Sequence, residues 1–287
     1  MVSIERVGSF TTGWGESLVW DEVRNRLWFA DCAAQTLHWV DDGDDELHSL
    51  AAPSLPTGIV PTTDGRLLVV LQDGLHVVDP DTAAWTLVSE YPDEVGGRCN
   101  DACADLDGNV ITGKLNLGPA EGAAWWWSAT DGWRVVDAAI SNTNGPAVAV
   151  LDGTMTLLVG DTATDYYAYD YVAGTGQVGP RRVFGAVDDL DGKPDGATLD
   201  TDSGYWCALV GGSQLARFTS AGLDRTLGLP LLNPTDVTFG GPGLDRLYVT
   251  SIAGAPGAEP GLEGALLVID GLPERGRLEP RANLGDA

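Results

Sequence analysis

At 287 residues and 44% apolar content the chain can bury a large core, and 38 glycines with 16 prolines favour many short strands and turns over helices. Sixteen Lys and Arg against 42 Asp and Glu leave a formal net charge of −26, which argues against nucleic acid or an anionic membrane as partner and suits solubility at high ionic strength. No window sustains helical periodicity over several turns, and no run of about 18 apolar residues is available to span a bilayer.

The first ten residues, MVSIERVGSF, contain no continuous apolar run of the kind a secretory signal needs. Six segments then share one layout: a small or polar residue, a short apolar strand, an Asp/Gly turn and a second apolar strand. They are Glu16–Asp31, Thr57–Leu71, Asn100–Gly113, Asn144–Asp161, Asp195–Leu209 and Thr235–Ser251. Their starts are spaced by 41, 43, 44, 51 and 40 residues. Further apolar stretches lie between them: Thr36–Val40, Leu75–Val78, Trp125–Ser128, Tyr166–Tyr169 and Gln214–Phe218. About four strands per roughly 40–50 residues is the period of a propeller blade. The expected fold is therefore all-β, a six-bladed β-propeller in one domain over residues 1–287. Val2–Phe10 is expected to close the ring on the last blade, and the polar tail Gly271–Ala287 to be irregular, wrapping or fraying. Cys32, Cys99, Cys103 and Cys207 are too few and scattered for a disulfide framework or a zinc set. They read as reduced, buried thiols, and a cytoplasmic location is expected.

The stretch Gly96–Gly108 (GGRCNDACADLDG) sets Arg98, Asn100 and Asp101 at the mouth of a strand pair. Such groups either cap a turn or face a shared pocket, because burying them unpaired is costly. In a propeller, equivalent positions on successive innermost strands form a ring around the channel. Here those positions are Glu16, Thr57, Asn100, Asn144, Asp195 and Thr235, all oxygen-bearing. Capping of strand-end backbone groups is one reading of them. The other is a hard-oxygen cage whose two carboxylates balance a divalent ion, suiting Ca²⁺, Mg²⁺ or Mn²⁺ better than a soft metal. His38, His48 and His76 fall near outer strands and off the ring. No Gly-x-Ser-x-Gly elbow is present. The Trp125-Trp126-Trp127 run reads as blade packing, whereas Trp14, beside Glu16, can line the pocket mouth.

Gly15-Glu16-Ser17 with Trp20-Asp21, Arg98-x-Asn100-Asp101, Asn144-Gly145, Pro194-Asp195-Gly196 and Pro234–Gly241 (PTDVTFGG) resemble the SMP-30/gluconolactonase/LRE family of regucalcin-like sugar lactonases, from about residue 10 to about 270. The resemblance implies a six-bladed propeller with one divalent metal in its channel, calcium favoured over Mg, Mn, Zn or Fe. It implies Glu16, Asn144 and Asp195 as metal ligands, Asp195 also as general base, and Asn100 and Arg98 as substrate contacts. Two positions depart from the pattern. Asn142 competes with Asn144; Asn144 is preferred because Gly145 follows, and the late turn at Leu151-Asp152-Gly153 implies a bulge. Lys114 stands after Gly113 as a further candidate to reach substrate, with Trp14. The expected activity is hydrolysis of an aldonolactone by a monomer or weak homo-oligomer, with no nucleic acid or membrane partner. The alternatives are a promiscuous esterase or organophosphate hydrolase on the same propeller, or a metal-binding interaction protein without turnover.

Overall fold

This computed structural model describes residues 1–92, 98–114, 122–254 and 261–285; Gly96, Gly97, Asp286 and Ala287 of the stretches named above lie outside them. Among the described residues the chain forms strands and turns and no helix. β1 (Ser3–Arg6) precedes the first blade, which is β2 (Gly15–Asp21), β3 (Arg26–Asp31), β4 (Thr36–Asp41) and β5 (His48–Ala51). The second blade is β6 (Gly58–Pro61), β7 (Leu67–Val70), β8 (Gly74–Asp79) and β9 (Ala84–Glu90). The third is β10 (Cys99–Ala104), β11 (Val110–Lys114), β12 (Ala124–Ser128) and β13 (Gly132–Asp137). The fourth is β14 (Thr143–Leu151), β15 (Thr154–Asp161) and β16 (Tyr166–Val172), with β17 (Gln177–Val178) and β18 (Arg182–Gly185) both paired to β16. The fifth is β19 (Lys193–Leu199), β20 (Tyr205–Val210), β21 (Gln214–Thr219) and β22 (Gly222–Gly228). The sixth takes β23 (Pro234–Gly240), β24 (Arg246–Ser251) and β25 (Leu267–Asp270), and is completed by β1.

The innermost strands touch in the order β2, β6, β10, β14, β19, β23 and back to β2, so the six sheets form a closed propeller. Closure is by hydrogen bonding between the two ends of the chain, as expected for Val2–Phe10: β1 runs antiparallel to β25 from Ser3–Asp270 to Arg6–Leu267. Innermost strands are buried along their length, whereas outer strands such as β22 alternate with solvent.

Packing between blades explains the aromatic residues. Trp28, Trp126 and Trp206 are fully buried, each packed among side chains of its own and the following blade. Truncating one to Ala typically costs about 3–5 kcal/mol. All three of Trp125, Trp126 and Trp127 are buried, as the packing reading requires, and the four cysteines are buried free thiols. The Asp/Gly turns are tied into the same core. Asp200 accepts the N–H groups of Asp202 and Gly204, the Trp206 indole N–H and Arg217 Nε. Asp105 does the same for Asp107, Asn109, Trp126 and Tyr171.

The tail wraps. Arg275 accepts from Thr201 N–H, Gly276 bridges Asp200, Ala282 N–H donates to Pro61 and Asn283 N–H to Gly108. These partners lie beyond the far ends of innermost strands, so the tail straps that face from the fifth blade to the second and third. Its Glu279 and Pro280 close a channel cavity lined by Ser17, Asp101 and Asp236.

Candidate active site

Five of the six innermost strands break register at the ring position. The shifts fall between Glu16 and Val19, Cys99 and Ala102, Asn144 and Ala147, Pro194 and Ala197, and Pro234 and Val237; β6 runs straight. A bulge inserts one residue and can re-aim a side chain; Glu16 and Asn144 are the last paired residues before theirs, whereas Asn100, Asp195 and Thr235 lie inside theirs. β14 carries a bulge, but the other four strands carry the same one; the late Asp152-Gly153 turn comes instead from the longer paired stretch Ala147–Leu151 after it. Ser17 (φ 55°) and Gly145 (φ 54°) follow Glu16 and Asn144 in left-handed conformation. At Gly145 a Cβ would come within 2.7 Å of the Ala197 Cβ and 2.8 Å of the Tyr205 hydroxyl, so only glycine fits.

All six ring side chains are buried, at 0–9% exposure, yet their hydrogen bonds divide them. Thr57 Oγ1 donates to Cys99 C=O (3.0 Å) and Thr235 Oγ1 to Gly15 C=O (2.5 Å). These two cap the next blade's backbone, so the capping reading applies to them. Asn100 Nδ2 donates to Asn144 Oδ1 (2.8 Å) and Thr143 C=O (3.0 Å), and Asn144 Nδ2 donates to Thr162 Oγ1 (2.5 Å). The Asn144 amide is thereby oriented with its oxygen toward Asn100. Trp14 Nε1 donates to Glu16 Oε1 (2.8 Å), and the Arg98 guanidinium lies 5.3 Å from the Trp14 ring centroid. Arg98 Nη1 is buried and has no hydrogen-bond partner among the described residues.

Two candidates stand apart. Asn142 sits two residues before Asn144, as Trp14 does before Glu16. Both loops are held alike: Asp161 accepts the N–H groups of Ser141 and Asn142, and Asp31 those of Gly13 and Trp14. Asn142 is therefore the fourth-blade counterpart of Trp14 at the mouth, and its Nδ2 goes to Thr162. Lys114, at the end of β11, lines a separate cleft with Pro92, Trp125 and Trp133, and among the described residues takes no part in this hydrogen-bond network.

Four groups hold the ring strands in place; Asp101 was named in the sequence at the strand mouth, whereas Asp236, Tyr166 and Tyr205 were not singled out there. Asp101 Oδ2 accepts Gly145 N–H (2.7 Å) and its Oδ1 accepts Ala102 N–H (2.7 Å). Asp236 does the same for Leu18 (2.5 Å) and Val237 (2.7 Å). Tyr205 Oη donates to Gly145 C=O, and Tyr166 Oη accepts Asp195 N–H (2.9 Å) with its own proton shared between Ala208 C=O (2.9 Å) and Asp195 C=O (3.0 Å). Each bulge carrying Glu16, Asn144 or Asp195 is thus pinned from a neighbouring strand. The only sequence signal was that Asp101 and Asp236 each follow a ring residue by one.

Burial dominates the electrostatics of the site. Burial pushes the Glu16 carboxyl up to about 8; the Trp14 indole N–H pulls it down, the Asp101 charge pushes it up and Arg98 pulls it down. Burial raises Asp195 well above the carboxylate range, and the charges of Glu16, Asp236 and Asp101 add to it. Asp101 is raised to about 7, also chiefly by loss of solvent. Among the described residues no three His, Cys, Asp or Glu side chains are placed to hold a metal by themselves. A cation here needs the Asn144 carboxamide oxygen beside the Glu16 and Asp195 carboxylates. That all-oxygen donor set fits a hard divalent ion.

Known proteins share this architecture. The family described as "SMP-30/Gluconolactonase/LRE-like region" matches residues 14–253. The pentonolactonase XacC of Haloferax volcanii is 28% identical over 256 residues, covering 88% of this chain and 86% of its own. The L-arabinolactonase of Azospirillum brasilense is 30% identical over 247 residues, covering 83% and 80%. A solved structure titled as a calcium-binding protein, regucalcin, from Agrobacterium tumefaciens strain C58 superposes with a TM-score of 0.87 at 22% identity, over 98% of this chain and 97% of that one. With its six blades in a ring and the family match spanning most of its length, the chain belongs to the SMP-30/gluconolactonase/LRE-like family.

Proposed function

We propose that the chain, a single propeller domain, is a divalent-metal-dependent hydrolase of a sugar lactone, an aldonolactone. The observation that carries this reading is that two buried carboxylates, Glu16 and Asp195, lie close enough for the charge of one to raise the other, on innermost strands of the same ring that carries the oriented Asn144 carboxamide. Glu16, Asn144 and Asp195 would hold the ion, with calcium favoured by the donor set. When bound, such an ion polarises the lactone carbonyl, stabilises the oxyanion and lowers the pKa of water.

The rest belongs to the protein's own side chains. Asp195 takes the proton of the attacking water and returns it to the ring oxygen as the acyl C–O bond breaks. A nearby cation keeps this carboxylate ionised, so it works as a weak base. Arg98, whose buried Nη1 has no partner among the described residues, and Asn100 bind the sugar oxygens. This polar mouth favours a polyhydroxylated substrate over an apolar aryl ester. The lactonase relatives support the same substrate class. The four buried free thiols suit a reducing compartment.

The test is a panel of gluconolactone, xylonolactone and arabinonolactone, run with Ca²⁺, Mg²⁺ or Mn²⁺ and with EDTA, on wild type and Asp195→Ala. The wild type should hydrolyse at least one lactone in a chelator-sensitive way. Asp195→Ala should lose roughly a hundredfold or more in rate. Absence of turnover on every metal-replete lactone, or a near-normal rate in Asp195→Ala, would reject the proposal.

A further inference from the structure

Trp14 touches both halves of the site, and we infer that it is a positioning residue coupling the pose of Arg98 to the carboxylate of Glu16. The inference rests on the reading of Glu16 as a cation ligand and Arg98 as a substrate grip. The Trp14 main chain is held on both sides. Its N–H donates to Asp31 Oδ1 (3.2 Å), its C=O accepts from Cys32 N–H (2.9 Å), and it bridges Ile252. The flanking glycines leave no slack: a Cβ on Gly13 would meet the Ala33 Cβ at 2.9 Å, and one on Gly15 the Thr12 Oγ1 at 2.8 Å. Only the two side-chain torsions remain, and the 2.8 Å bond from Nε1 to Glu16 Oε1 sets them.

That bond engages one carboxylate oxygen and leaves Oε2 for an ion, which is how an outer-shell donor orients a ligand. The same ring presents its face to the Arg98 guanidinium at 5.3 Å. A π face stabilises the cation without consuming its N–H donors. A carboxylate in that place would occupy two of them. Arg98 Nη1, buried without a partner among the described residues, is therefore kept for an incoming oxygen. Asn142, at the equivalent position of the fourth blade, has no aromatic face and turns to Thr162 instead.

Two substitutions separate the two contacts. Trp14→Phe keeps an aromatic face and removes the indole N–H; Trp14→Leu removes both. Binding of Ca²⁺ and Mn²⁺ is measured by calorimetry, and KM and kcat for the hydrolysed aldonolactone at saturating metal. Trp14→Phe should weaken metal binding about tenfold while KM stays within about twofold of wild type, since the face that carries Arg98 remains. Trp14→Leu should weaken metal binding equally and also raise KM roughly three- to tenfold. Wild-type metal affinity in Trp14→Phe, or an equal rise in KM for both variants, would overturn the coupling. Asn144→Ala serves as the control. Lost metal binding there, with unaltered Trp14 variants, defeats this inference alone; unaltered metal binding in Asn144→Ala defeats the ligand reading and the inference with it.

Discussion

Glu16 is a carboxyl held where water cannot solvate its charge. Burial pushes its pKa up to about 8, from an ordinary 4.5, and only the Trp14 indole and Arg98 pull the other way. The metal-free folded protein therefore keeps a proton that the unfolded chain releases near pH 4.5. Stability falls with pH wherever the native state binds more protons, so the metal-free fold loses stability from about pH 4.5 to about 8. A bound cation favours the ionised form and removes the dependence. In thermal scans, Tm of EDTA-treated protein should fall between pH 5 and 8, and that of Ca²⁺- or Mn²⁺-loaded protein should not. A flat metal-free profile would mean that Glu16 is already ionised. Asp195 adds to the effect in the same direction, since burial and the Glu16 charge raise it too.

The innermost strands owe their function to a defect in their own pairing. Each bulge frees backbone groups in the dry channel wall, and those groups must be satisfied. Asp236, on β23, accepts Leu18 N–H beyond Glu16; Asp101, on β10, accepts Gly145 N–H beyond Asn144; Ser17 Oγ accepts Ile59 N–H. One blade thus holds the candidate ligand of the next. Asp236→Asn would turn an amide donor against one of the two N–H groups that the carboxylate accepts. We expect about a tenfold loss of cation affinity, the scale for an outer-shell partner. The metal-free protein should change by about 1 kcal/mol or less, because the lost acceptor is offset by removing a carboxyl whose charge is disfavoured first by burial and then by the neighbouring Asp101. Calorimetry and urea titration read the two quantities separately. Unchanged cation affinity would make the Asp236 pin purely a matter of folding.

Around the ring the dominant long-range term is charge. Forty-two acidic residues against sixteen basic ones repel across a surface with few compensating cations. Salt shortens the reach of that repulsion, to about 8 Å at 0.15 M and about 3 Å at 1 M. Tm should rise with KCl from 0.05 M to 2 M, with most of the gain below roughly 0.5 M. A Tm that stays level over that range would show that surface repulsion carries no weight in this fold. The tail strap opposes opening of the ring across one face, and the β1–β25 pairing opposes it at the outer edge of the sixth blade. The strap joins the fifth blade to the second and third, and β1 joins the chain's beginning to its last blade.

Repetition made the fold legible. Every blade needs the same four strands and the same Asp/Gly turn, so the pattern recurs at nearly constant spacing and the ring positions can be counted off from it. Glu16, Asn100, Asn144 and Asp195 were found this way, and burial in the channel is common to all of them. What each ring residue does was not legible. Thr57 and Thr235 carry the same kind of oxygen, yet they cap the neighbouring blade. Asn142 lies in the loop before β14 whereas Asn144 is the last paired residue before its bulge, and Lys114 lines a different cleft. These assignments depend on hydrogen bonds between residues far apart in the chain. Asp236 and Leu18 are 218 positions apart, and Asp101 and Gly145 are 44. Local pattern encodes a strand and its turn; the partner across the channel exists only once the ring has closed and water has left it.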